Sequence, residues 1–182
     1  LATGSFSQVF SETTVSEHET GDGQAAAYRA GAELIDMENT QFVPTHTGFL
    51  MGAVFLNGKG ETFLHRYGMD VPWGPPKEAL CYAVAKEIRD GRGTESGNIQ
   101  IDMTGVSRDD PAVAKVLPRW EENLKKAGTA YPGYSAASVE PMLRPFETGP
   151  IAHTTTGGVR TNDRCETSIP GLYATGAVAG GV

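Results

Sequence analysis

The stretch Thr148–Val182, TGPIAHTTTGGVRTNDRCETSIPGLYATGAVAGGV, governs how the rest of the chain is read. His153 stands ahead of a threonine run and the pair Gly157-Gly158, so a side chain with a tunable proton lies beside flexible backbone. Further on, Gly171-Leu172-Tyr173-Ala174-Thr175-Gly176 is a short apolar strand that runs into glycine. Such a strand end brings backbone N–H groups close to a phosphate or a flat ligand. Each feature alone reads as an ordinary turn or an ordinary core strand. Together they are more specific.

H-x-x-x-G-G-[VI], a variable turn and then P-G-L-[YF]-A-x-G resembles the flavoprotein subunits of succinate dehydrogenase and fumarate reductase, with their relatives L-aspartate oxidase and adenylylsulfate reductase. The resemblance implies that His153, with Gly157 and Gly158, contacts a dicarboxylate substrate, and that the strand ending at Gly176 returns to FAD. Working outward, Leu1-Ala2-Thr3-Gly4 has the same x-A-T-G shape as Tyr173–Gly176. In the family such a segment marks where the FAD-binding sheet gives way to the substrate part, which implies cofactor contacts for Ala2, Thr3 and Gly4. Thr20-Gly21-Asp22-Gly23 precedes the Ala-rich run QAAAYRAGAELIDM. From the residues, Asp22 is an N-cap ahead of a helix with Ala26, Ala30 and Leu34 on its spacing. From the resemblance, Asp22 also faces FAD.

Composition bounds the reading. At 182 residues, 39% hydrophobic and 20% charged, the chain is long enough for a real core and balanced as globular proteins are. A net charge of -7 argues against nucleic acid or an anionic membrane as the main partner. No apolar run approaches the roughly 20 residues of a membrane span. Cys81 and Cys165 lie far apart without metal-ligand spacing, which favours two thiols in a cytosolic setting over a disulfide. A first residue of Leu and a last one of Val182 lead us to expect an internal piece of a larger flavoenzyme.

Several positions depart from the family pattern. M-E-x-x-Q-F-H-P-T would place a carboxylate-binding His where this chain has Val43. His46 is three positions on, which on a strand points it to the opposite face, so we expect a surface or loop residue there. Gly48–Leu56 reads as a buried strand, Asn57–Glu61 as a turn, and Thr62–Tyr67 as a second strand-like stretch, reproducing L-x-N-x-x-G-E-x-F-x-x-R-Y. The Thr-Glu pair and the Arg-Gly-Glu-Gly-Gly loop usual between these motifs do not fit in the shorter segment. After the linker VPWGPP, a helix from Pro76 through Arg89 should end at Gly91. Counting back from Glu87–Gly93 (EIRDGRG), the family's proton-donating Arg falls at Tyr82, read either as a helix-packing residue or as a weak candidate acid. A strand over Asn98–Met103 follows. Asp109-Asp110-Pro111 opens a helix that Gly128 should close and Pro118 should kink or split. Ala177 stands where the family carries Glu.

The expected architecture is α+β: the capping domain of a fumarate reductase-like flavoprotein (41–151) flanked by pieces of its FAD-binding domain (1–40 and 152–182). The glycine-rich pyrophosphate fingerprint is absent from this stretch and would lie upstream. The resemblance implies an FAD oxidoreductase passing hydride between flavin and a small substrate, dicarboxylate or divergent. It also implies an iron–sulfur electron-transfer partner and a cytoplasmic location, peripheral to a membrane through partner subunits. The alternatives are a non-catalytic subunit that keeps the fold for flavin binding or assembly, and an adenylylsulfate reductase-like protein.

Overall fold

The computed structural model describes residues 1–44, 51–70, 75–130 and 144–181, apart from the side chains of 123–130. The chain divides into two units: Leu1–Val43 with Ile151–Val182, and Pro44–Pro150. His46, the first part of the apolar run before Leu56, and most of the VPWGPP linker lie outside the described residues.

The first unit is built from segments distant in sequence. Helix α1 (Asp22–Arg29) is followed by β1 (Leu34–Ile35) and β2 (Thr40–Val43). From the far segment come β6 (Ile151–Thr155), β7 (Gly158–Arg160) and β8 (Ala179–Gly180). They form a sheet in the order β1-β7-β8 and an antiparallel pair β2-β6. Ala27, Ala32, Val159, Ala174, Val178 and Ala179 fill its small core. The helix stops well short of the run read from sequence. Gly31 adopts a φ of +94° and Leu34, expected on the helical face, pairs with Val159 in β1. Asp22 is likewise not the N-cap: Gly21 occupies that position with a φ of +84°, and Asp22 is the first helical residue, its carboxylate accepting from the Thr20 hydroxyl at 2.9 Å.

The second unit centres on an antiparallel sheet, β3 (Val54–Leu56), β4 (Ile99–Asp102) and β5 (Phe146–Thr148), in that order. Strand β4 alternates as a half-buried strand should, with Ile99 and Ile101 inward. Helix α2 (Lys77–Glu87) contributes Leu80, Ala83 and Val84 to the same core, and α3 (Pro111–Ala130) contributes Val113 and Leu117. Asp110 caps α3, its Oδ1 accepting the N–H of Ala112 at 2.8 Å. The helix runs on through Pro118 and Gly128 as one element, where a kink or split and an earlier end were expected. Thr62–Tyr67 is not a strand either. Thr62 makes a single bridge to Leu56, and Leu64–Tyr67 is a 3-10 turn with Leu64 buried.

Helix α2 continues into a π-type turn over Ile88–Arg92, in which Gly91 takes a φ of +76°. This wider turn matters because it carries Arg92 back over Glu87, five positions earlier.

Candidate functional site

In the first unit, β2 and β6 pair with a register shift. Thr40 and Gln41 face Thr155 and Thr154, whereas Phe42 and Val43 face Ala152 and Ile151. His153 is therefore the extra residue of a β-bulge, a feature that re-aims a side chain at a sheet edge. The other side of β6 is covered by the loop at Glu12–Thr14. The N–H of Thr14 donates to Ala152 O at 3.0 Å, and that of Ala152 to Glu12 O at 3.3 Å. This brings the Thr14 hydroxyl to 2.6 Å from His153 Nδ1. With Nδ1 engaged, Nε2 is the ring nitrogen left for a ligand. The half-buried imidazole is thus both displaced from the ladder and held by a specific partner.

Gly157 and Gly158, expected beside His153 as substrate contacts, are both buried. A Cβ on Gly157 would lie 2.0 Å from Asp36 O, and one on Gly158 would lie 2.3 Å from Val178 O. Close backbone approach between β7, the turn at Asp36 and β8 accounts for both glycines. Asp36 itself adopts a φ of +54° there. Val43, in the position of the family's anion-binding His, is half-buried and faces Ile151.

The residues expected at the cofactor converge around the start of α1. Thr175 N donates to Leu1 O at 3.0 Å and Leu1 N to Tyr173 O at 2.5 Å, so Leu1–Gly4 lies alongside Tyr173–Gly176. Thr3 presses on the helix start, where a Cβ on Gly23 would come within 1.8 Å of its hydroxyl. Gln24, which sequence reading passed over, lies 3% exposed between the two segments and donates to Gly4 O at 3.0 Å and Ala177 O at 3.4 Å. Ala2, Thr3, Asp22, Gly176 and Ala177 are exposed, and a Cβ on Gly176 would meet open space. The result is a ledge of accessible backbone with one carboxylate, to which Ala2, Thr3, Asp22 and Gly176 contribute exposed atoms and Gly4 a half-buried turn.

The second unit holds a separate charged cluster. The buried Glu87 carboxylate accepts from Arg66 Nη1 at 2.7 Å, Arg92 Nε at 2.8 Å and Nη2 at 2.9 Å, Tyr67 OH at 2.9 Å and Asn57 Nδ2 at 3.0 Å. Burial alone would raise its pKa; the hydrogen bonds from Arg92, Asn57 and Tyr67 outweigh burial and hold it at about 2. Burial and the Glu87 carboxylate raise Tyr67 in turn. Gly58, in the turn of the first motif, also meets Gly93 at the end of the second, since a Cβ on Gly58 would lie 2.0 Å from Gly93 O. The N-x-x-G-E-x-F-x-x-R-Y and EIRDGRG motifs are therefore two halves of one structural lock. Tyr82 is 61% exposed on α2, its ring edge-on to Tyr67 at 6.5 Å. Among the described residues no group of His, Cys, Asp and Glu is arranged to hold a metal ion.

The chain matches the FAD binding domain family over residues 1–182. It is 33% identical over 198 residues to a chain of the CoM/CoB fumarate reductase of Methanothermobacter marburgensis, covering 100% of this chain and 34% of that protein. The chain belongs to the FAD-binding flavoproteins of the fumarate reductase and succinate dehydrogenase family. This flavoprotein chain is also 36% identical over 192 residues to an uncharacterized FAD-dependent oxidoreductase of Methanocaldococcus jannaschii, covering 100% of this chain and 33% of that one. A solved E. coli quinol fumarate reductase superposes with a TM-score of 0.75 at 28% identity, over 98% of this chain and 33% of its own. The flavoprotein chain thus has the mixed α/β fold of such proteins and spans about a third of the length of the relatives it matches.

Proposed function

We propose that this chain is the substrate-facing part of an FAD-dependent oxidoreductase that exchanges hydride with a small dicarboxylate or a divergent relative of one. The observation that carries the reading is His153, displaced by a bulge and fixed through Nδ1 by Thr14. An imidazole so held presents Nε2 to an anionic oxygen without spending rotamer freedom on binding. In the neutral ring with Thr14 donating, Nε2–H is a donor for a carboxylate; in the protonated ring the contact becomes charge-assisted.

The residues around α1 fit FAD as a partial site. Open backbone at Gly176 and the exposed Asp22 carboxylate form a polar edge, and behind it the buried Gln24 Oε1 has no partner among the described residues. Ala2, Thr3, Gly4, Asp22 and Gly176 would line the cofactor there. Bound FAD supplies the two-electron chemistry. On this reading the first unit is the FAD side and the second is the capping part, within a longer protein that passes electrons to an iron–sulfur partner. A cytoplasmic site, peripheral to a membrane through partner subunits, belongs to the same proposal; among the described residues no helix is long and apolar enough to cross one.

A second reading, a subunit that keeps the fold without the chemistry, is favoured by Val43 and Tyr82. The first offers no charge to a carboxylate, and the second is an exposed phenol. The test is fumarate reduction by a reduced dye in the FAD-loaded full-length protein. His153→Leu, which has no donor, should lower kcat/KM about 10- to 100-fold, the range for one hydrogen bond to a charged group. Activity in the parent that is indifferent to His153→Leu would overturn the role of His153; no activity on any dicarboxylate or related acid would favour the second reading.

A further inference from the structure

Gln24 is the third residue of α1, where a glutamine ordinarily reaches back to the N-cap N–H. Here it reaches across instead. Its Nε2 donates to Gly4 O at 3.0 Å and to Ala177 O at 3.4 Å, so both amide hydrogens are spent on carbonyls of two different segments. These carbonyls fix the amide orientation, since the opposite flip would set oxygen against oxygen. The consequence is that Oε1 is buried without a partner among the described residues. An orphaned buried acceptor costs on the order of 1–3 kcal/mol, which an aliphatic side chain of similar size would not incur. The arrangement stabilises the molecule only through what the two donated bonds hold.

What they hold is the spacing of the ledge. Leu1–Gly4 and Tyr173–Gly176 are tied at their beginnings by the Leu1 bonds to Tyr173 and Thr175. Past that tie both chains turn at a left-handed glycine, Gly4 at φ +82° and Gly176 at φ +72°. Gln24 bridges the two turns at the point where the backbone is exposed. We propose that Gln24 is a positioning residue that clips the Gly4 and Gly176-Ala177 turns together and so presets the edge of the flavin site. The inference rests on the reading of the first unit as the FAD side. Gln24 does not touch the flavin itself; it acts through the two turns.

The test uses the full-length protein, wild type against Gln24→Met and Gln24→Glu. FAD dissociation constants are measured by flavin fluorescence at pH 8 and pH 5.5, with hydrogen exchange at Ser5 and Val178 in the flavin-free protein. Gln24→Met keeps the volume and loses both donors. It should weaken FAD binding about tenfold relative to wild type at both pH values and speed exchange at both turns. Gln24→Glu places a carboxylate against two carbonyls at pH 8 and recovers one O–H donor when protonated. Its deficit relative to wild type should therefore shrink at least severalfold between pH 8 and pH 5.5, a change that loss of packing alone would not produce. FAD affinities of both variants within twofold of wild type at both pH values would overturn the clip, as would a lowered Tm with unchanged flavin affinity. If Gln24→Glu fails to fold at pH 8, Gln24→Met decides the question. Wild-type protein that binds no FAD would sink the underlying reading of the first unit instead.

Discussion

A single extra residue in β6 sets His153 apart from its neighbours, and the Thr14 hydroxyl fixes it there. Thr14→Val removes that partner while keeping the shape, so turnover on an acid substrate should fall about tenfold, and Thr14→Ser should restore most of it. Steady-state kinetics on the full-length protein decide this; a silent Thr14→Val would mean that packing, not the hydrogen bond, holds the ring. If Val43 and Tyr82 limit a dicarboxylate reaction, restoring charge at one alone with Val43→His or Tyr82→Arg should recover little, because one change addresses anchoring and the other the proton. Gly158 makes a stability prediction. A methyl group 2.3 Å from Val178 O forces β7 and β8 apart, so Gly158→Ala should cost more than the ~1–3 kcal/mol of ordinary overpacking. Urea unfolding measures it. The cysteines separate as well: the Cys81 thiol is buried and pushed up to about 11, chiefly by burial, whereas Cys165 is exposed. A thiol reagent at neutral pH should label Cys165 in the native protein and Cys81 only after unfolding.

At the scale of elements, the π-type turn at Ile88–Arg92 gives the second unit its buried carboxylate lock. Glu87→Gln removes the charge and one of the two acceptor oxygens at the centre of the lock, while Arg66 keeps Glu61 and Arg92 keeps Asp90, so the loss is on the order of 1–3 kcal/mol. The Glu87 pKa is depressed in the folded protein, from 4.5 to about 2. Its stabilisation is therefore fully present above about pH 4.5 and lost as pH falls towards 2. The difference in unfolding free energy between wild type and Glu87→Gln should shrink between pH 6 and pH 3; a constant difference would mean the carboxylate is not what the lock depends on. The sequence showed this region unevenly. The alternation in NIQIDM and the spacing of Leu80 and Val84 gave β4 and α2, because local periodicity reports a face towards a core. The spacing of Leu34 predicts helix, but Gly31 ends the helix and pairing with Val159 claims the residue. The bulge at His153, the Thr14 contact and the Gln24 bridge carry no local signal at all. Each comes from register or contact between segments more than a hundred positions apart. EIRDGRG was legible as a motif, but its function as a lock needed Arg66 and Tyr67 brought to it by the fold.

For the molecule as a whole, the two units are continuous and discontinuous in sequence, respectively Pro44–Pro150 and the pair of flanking segments. The second unit has its own sheet, helices, core and charged lock, so residues 44–150 made alone should unfold in one cooperative thermal transition. A gradual melt without a baseline would show that it depends on the flanks. Residues 1–182 made alone should purify nearly colourless, since the ledge at Gly4 and Gly176 offers no glycine-rich grip for a pyrophosphate; stoichiometric yellow flavin would relocate the cofactor. The split layout of the first unit also bears on how the protein is made. On a ribosome, β1 and β2 leave the exit tunnel long before β6, β7 and β8 exist to pair with them. At roughly 5–20 residues per second, the intervening hundred residues hold those strands unpaired for about 5–20 seconds. During that interval the backbone edge of β2 lacks β6, its partner strand, although the Phe42 ring can already pack on Phe10, and the nascent chain is most in need of a chaperone there.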